Sequence, residues 1–121
     1  STLASRAAGI AIGDGDTGIA QNGDGQLELF ANGQEIMNLD TGEITCYEHT
    51  NPGTNNTYNL GSASYRWANL YVNDAHFSNE GSSNSVDGTW GDWTLQEGAD
   101  GIYMINNKNG KKYEMMLKEV Q

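Results

Sequence analysis

A chain of 121 residues carrying sixteen acidic and six basic side chains has a net charge of −10. That is too little Lys and Arg to displace counterions from nucleic-acid phosphates or to be drawn to an anionic membrane. Apolar residues make up 36% of it, with only two Phe, which gives a lone domain of this size a thin core and favours a core shared between copies. One cysteine, Cys46, excludes an intrachain disulfide framework, and no apolar run approaches the length of a membrane span.

The sequence starts at Ser1 with no Met and no signal-like segment, and so reads as a fragment or processed piece of something longer. Gly, Asn, Asp, Ser and Thr are spread throughout, Pro52 is the only proline, and no window holds an apolar period near 3.6. Such a profile predicts an all-β chain of short antiparallel strands and hairpins. Residues 1–25 are rich in Ala, Gly and Asp, which suits close backbone approach and turns. From Gln26 the alternation is plain: Leu27 and Leu29 on one strand, a two-residue turn at Asn32-Gly33, then Ile36, Met37 and Leu39 on the return. "DTGE" (40–43) turns the chain again, and Ile44 and Cys46 share one face of a third strand, where Cys46 is expected to be a small buried hydrophobe.

Residues 48–59 form a polar loop around Asn51-Pro52-Gly53. Its Asn55-Asn56-Thr57 fits the glycosylation acceptor pattern, a short pattern that chance supplies often. Residues 79–89, "NEGSSNSVDGT", have almost no apolar content and read as a linker. Beyond it, Trp93 and Leu95 on one strand face, a turn at 97–101, a strand at 102–105, a turn at 106–110 and a strand from Lys112 to Val120 predict a three-stranded β-meander. It has one face to bury and little of its own to bury it against. The expected organisation is therefore a hairpin-rich region over 1–78, a linker over 79–89 and a C-terminal meander over 90–121.

The chemistry-bearing residues point away from catalysis. Asp14, Asp16, Asp24 and Glu28 do not follow the spacing of a calcium-binding loop and read as turn formers. Two histidines, His49 and His76, with a single Cys fall short of a zinc site, and no strand–Gly-x-Ser-x-Gly–helix context, P-loop or dinucleotide fingerprint is present. No metal, cofactor or catalytic residue is expected. Trp90, Asp92 and Trp93 are the candidate ligand contacts: an exposed indole stacks on apolar sugar faces while a neighbouring carboxylate accepts from hydroxyls. The competing reading makes both Trp residues anchors of a thin core or a subunit interface.

"LGSASYRWANLYV" (Leu60 to Val72) resembles the Leu-Gly-Ser-x-x-x-Arg-Trp-x-x-Leu-Tyr element near the C-terminal ends of bacteriophage tail fibre and tailspike proteins. "GDTGIAQNGDGQLELFANGQEIMNLDTG" resembles the repeats that precede it in such fibres. Residues 87–120 resemble a C-terminal module of phage structural proteins, particularly marine ones. The resemblance implies an elongated fibre of three parallel identical chains. It implies a place in the virion after synthesis in the bacterial cytoplasm, other virion tail proteins as partners, and contact with a host surface glycan or protein. It implies Leu60, Arg66, Trp67, Leu70 and Tyr71 at the trimer interface, with Arg66 paired to an acidic residue of a neighbouring copy. The Ser-Asp-x-Arg-x-Lys start of the self-cleaving chaperone found after this element in many fibres is missing, so self-cleavage is not expected. A purely structural trimerisation or head/tail attachment module is the first alternative. A polysaccharide depolymerase is the second, and 121 residues leave no room for the long parallel β-helix those enzymes use.

Overall fold

The computed structural model describes residues 8–121, so the expectation for the first seven residues of the small-residue opening lies outside it. The described residues hold nine strands and no helix. They fall into two units that meet between Leu60 and Gly61, each with one antiparallel sheet whose strands lie side by side in sequence order.

The first sheet has five strands: β1 (Ala8–Ile12), β2 (Thr17–Gln21), β3 (Leu27–Ala31), β4 (Gln34–Leu39) and β5 (Ile44–Cys46). The β3–β4 hairpin turns at Asn32 and Gly33, with φ of 50° and 72°. That is the left-handed pair a two-residue hairpin requires and that Asn and Gly tolerate best. Its tip leans on the β1–β2 turn: the Gly33 amide donates to the Asp16 carbonyl at 2.7 Å and the Asn32 amide to Thr17 Oγ1 at 3.2 Å. A register shift between Leu29 and Phe30 leaves Ile36 as an extra residue on β4, which explains how Ile36 and Met37, consecutive in sequence, fit a two-residue period. The Gly/Ala-rich opening, expected to supply turns and close approaches, supplies a further hairpin. At Gly18 a Cβ would stand 1.9 Å from the Ile10 carbonyl oxygen, so β2 reaches β1 only because this position has no side chain.

The second sheet has four strands: β6 (Ala75–Ser78), β7 (Asp92–Glu97), β8 (Ile102–Asn106) and β9 (Lys112–Glu114). Trp93 and Leu95 share a face, opposite Phe77 and Ala75 of β6. Three features differ from the sequence reading. A fourth strand, β6, precedes the three that were expected. Residues 79–89 connect two paired strands and not two bodies, because β6 finds its hydrogen-bond partner in β7. The last strand ends at Glu114, after which only the Met115 amide still reaches the Ile102 carbonyl, at 2.8 Å.

Buried apolar residues among those described are Ala20 and Phe30, at 2% and 4% exposure, on the same face of the first sheet as the buried Glu28. Cys46 is exposed, contrary to expectation, because β5 is an edge strand and none of the described residues covers its side chain.

Candidate functional site

The 79–91 connection is built by short-range side-chain-to-backbone hydrogen bonds. Asn84 is its hub. Its Oδ1 accepts from the Val86 and Asp87 amides at 2.8 and 3.0 Å, while its Nδ2 donates to Asp87 Oδ1 at 2.7 Å and to the Thr89 carbonyl at 2.9 Å. Asp87 Oδ1 also accepts from the Thr89 amide at 3.1 Å and the Thr89 hydroxyl at 2.8 Å. Asn79 ties the loop to the sheet: its Oδ1 accepts from the Gly91 amide at 2.7 Å. The signal missed in the sequence is the spacing of Asn84, Asp87 and Thr89, three formers of local side-chain turns, in a stretch whose polarity reads as a linker.

Hydrogen bonds from the Thr89 hydroxyl, Asn84 and the Thr89 amide, in that order, hold the Asp87 carboxyl below its ordinary 3.8. A carboxyl lowered on folding stabilises the folded loop above its ordinary value, and that contribution is lost as pH falls through the folded-state value. The Thr89 amide resonance is therefore expected to titrate below pH 3.8, the group's ordinary value. Asp87→Asn removes that titration; a Thr89 resonance in the variant that still moves with the same midpoint contradicts the assignment.

This loop, the β6 edge and the β8–β9 turn surround an open hollow of about 1010 Å³. Trp90, Trp93, Asp87, Lys108, His76 and Phe77 are among the side chains lining it. Lys108 places its Nζ 3.6 Å from the centre of the Trp90 ring and donates to the Trp90 carbonyl at 3.2 Å. The ammonium thus takes one face of the indole of a residue that is 39% exposed. Trp93 leans on Tyr113, ring centres 5.6 Å apart and planes at 47°. Of the three candidate contacts, Trp90 and Trp93 line the hollow. Asp92 does not: its Oδ1 accepts from Asn107 Nδ2 at 2.9 Å. Asp87, not singled out in the sequence, is the carboxylate in the hollow.

His76 is one link in a polar chain. Asn107 Nδ2 donates to Thr94 Oγ1 at 2.9 Å, and that buried hydroxyl stands 3.0 Å from His76 Nδ1. The Thr94 hydroxyl, with one proton and two acceptor sites, bridges Asn107 and the imidazole. His49 lies in the exposed loop after β5. The four metal candidates are dispersed over the Gly13–Asp16 turn, the β2–β3 turn and the middle of β3, and no cluster of three or more His, Cys, Asp or Glu suited to a metal occurs among the described residues. Asp14 and Asp16 share one turn, where their mutual hydrogen bond, partial burial and like charge raise the Asp16 carboxyl.

The segment from Leu60 to Val72 forms no strand, yet it has local structure. The Ser62 amide donates to the Tyr65 carbonyl at 2.9 Å, the Tyr65 amide to Ser62 Oγ at 3.1 Å, and Arg66 Nη1 to the Ala63 carbonyl. Its large side chains stand open: Trp67 is 70% exposed and Tyr71 89%, with Leu60, Tyr65, Leu70 and Val72 exposed as well. All five expected interface residues are therefore on the surface, and Arg66 spends part of its guanidinium on its own turn.

The described residues define an all-β chain with two antiparallel sheets and many large apolar side chains exposed. The chain is 33% identical over 64 residues to the probable tail fiber protein of Escherichia phage P2, a match covering 53% of this chain and 10% of that protein. It is 43% identical over 42 residues to the long tail fiber protein Gp37 of Enterobacteria phages T2 and K3, covering 35% of this chain and 3% of each of those proteins. The chain is thus tail-fibre-like over part of its length, and the matches span a tenth or less of these relatives. No family model and no solved structure matches it.

Proposed function

We propose that this chain is a segment of a homotrimeric phage tail fibre, carried in the virion beside other tail proteins and taking part in adsorption to the host surface. The observation that carries the reading is the Leu60–Val72 strap: an ordered turn whose aromatic and aliphatic side chains are left in water. Three parallel copies would bury Leu60, Trp67, Leu70 and Tyr71 between them and bring the remaining Arg66 nitrogens to a carboxylate of a neighbour. The partial likeness to tail fibre proteins supports the same role. The marine-phage character of the C-terminal module is part of the proposal and rests on the resemblance of residues 87–120 alone. No reaction is assigned to the chain; release of reducing sugar from host polysaccharide by the purified protein would overturn that.

In this reading the hollow at Trp90 and Trp93 receives a host glycan, with Asp87 replacing Asp92 as the acceptor of its hydroxyls. The purified assembly is expected to bind host cells, and Trp90→Ala to lose most of that binding while the oligomer mass stays unchanged. One observation favours the purely structural alternative: Lys108 already occupies a face of Trp90. An assembly that binds no host cell decides for the structural role.

A further inference from the structure

We infer that Asn22, in the turn between β2 and β3, is a site of spontaneous covalent modification in the folded chain. Its side-chain amide is lost to attack by the backbone nitrogen of Gly23, leaving an aspartyl or isoaspartyl residue. This does not rest on the trimer or the glycan reading. Three Asn-Gly pairs occur in the sequence: Asn22-Gly23, Asn32-Gly33 and Asn109-Gly110. Asn is among the thermally labile residue types, and a following Gly has no side chain to hinder approach to it. Sequence alone does not rank the three; the hydrogen bonds of the fold do.

At two of the pairs the glycine nitrogen is already committed. The Gly33 amide donates to the Asp16 carbonyl at 2.7 Å, and the Gly110 amide to the Asn106 carbonyl at 2.7 Å. Their asparagines are held as well. Asn32 stands in the left-handed region at φ 50°, with its own amide on Thr17 Oγ1 at 3.2 Å. Asn109 Oδ1 accepts from the Lys111 amide at 2.9 Å. At the third pair neither residue is held in this way. Asn22 is exposed, and among the described residues neither its side chain nor the Gly23 amide has a hydrogen-bond partner. The Gly23 carbonyl does accept from the Gln26 amide, at 3.3 Å, so the turn is formed with the Gly23 nitrogen unused. A hydrogen bond that must open before attack slows the step about fivefold, so Asn32 and Asn109 lag behind Asn22.

The step needs only water and hydroxide. The Gly23 nitrogen gives its proton to hydroxide and bonds to Asn22 Cγ. The Cγ–Nδ2 bond breaks, and ammonia leaves with a proton taken from water. Water then opens the resulting succinimide ring. Opening at Cγ gives an aspartyl residue; opening at the backbone carbonyl gives an isoaspartyl residue, with the main chain rerouted through the side chain. Either product exchanges NH for O and adds a carboxylate next to Asp24.

The full chain, folded and in urea, is incubated in mildly alkaline buffer and its peptides are followed by mass spectrometry. In the folded chain Asn22 is expected to convert at least about fivefold faster than Asn32 or Asn109, and in urea the three are expected to convert at similar rates. Gly23 is not left-handed, and a Cβ there meets only Gln26 Oε1, at 3.8 Å. Gly23→Ala is therefore expected to keep the fold and to lose most of the conversion at Asn22. Equal rates at the three sites in the folded chain, or Asn32 or Asn109 ahead of Asn22, overturn the inference. A spread that persists unchanged in urea overturns it too, because local sequence and not the fold would then set the order. So does a folded Gly23→Ala chain that converts at the wild-type rate. If Gly23→Ala does not fold, the comparison of folded and unfolded wild type decides.

Discussion

Trp67→Ala is expected to dissociate the proposed trimer while leaving both sheets folded. Within its own chain the indole is 70% exposed and belongs to neither sheet, so the single chain loses little by its removal. In the proposed trimer the same side chain is the largest apolar group the strap would bury between copies. Truncating a buried Trp costs about 3–5 kcal/mol. Every ~1.4 kcal/mol is a factor of ten in affinity, so association should weaken by at least about a hundredfold. Sedimentation velocity over a dilution series reads the loss, and far-ultraviolet circular dichroism checks that strand content is unchanged. A variant that holds its oligomer at the wild-type dilution limit places Trp67 outside the interface.

Gly18→Ala is expected to release β1 from the first sheet. The added Cβ would meet the Ile10 carbonyl oxygen at 1.9 Å and the Ala11 Cα at 3.1 Å. Both are backbone atoms, and no rotamer change relieves the clash, so the two strands must separate. A cost of about 1–3 kcal/mol is expected, the usual range for a backbone forced out of its preferred geometry. Gly42→Ala is the matched control, since a Cβ there meets nothing within 4 Å. Thermal unfolding should show a lower midpoint for Gly18→Ala and none for Gly42→Ala, and hydrogen exchange should speed up in β1 ahead of β3 and β4. Equal midpoints for the two variants would mean that the β1–β2 approach is looser than the backbone geometry states.

Much of the all-β character was legible in local chemistry. Asn32-Gly33 between two alternating runs predicted the β3–β4 hairpin, and the structure has left-handed φ at both residues. Ile44 and Cys46 were expected on one face, and they stand opposite Leu39 and Met37. The hairpin of β1 and β2 was harder to see. Ile10, Ile12 and Ile19 do alternate, but the Ala and Gly between them carry no hydrophobic contrast, so the stretch reads as turns. Around His76 the sequence reads as an apparent strand, and the structure has β6 there; that it joins the three C-terminal strands depends on its pairing with β7 across the 79–91 connection.

At the candidate site the sequence singled out Trp90 and Trp93, which do line one hollow, and also Asp92, whose side chain is held by Asn107. Choosing between Asp92 and Asp87 required knowing where the loop folds back, and that is set by the hydrogen bonds of Asn84. The amino-acid sequence by itself determined the class of structure, the turns and the scarcity of core-forming residues, because these depend on side-chain type and on neighbours a few positions away. Which face of the first sheet is buried, that Cys46 is exposed, that Lys108 covers Trp90 and that 79–89 is a hydrogen-bonded loop were decided only by tertiary structure. Each depends on contacts between residues distant in sequence, and the period-two alternation that makes a strand is the same whichever of its two faces is covered.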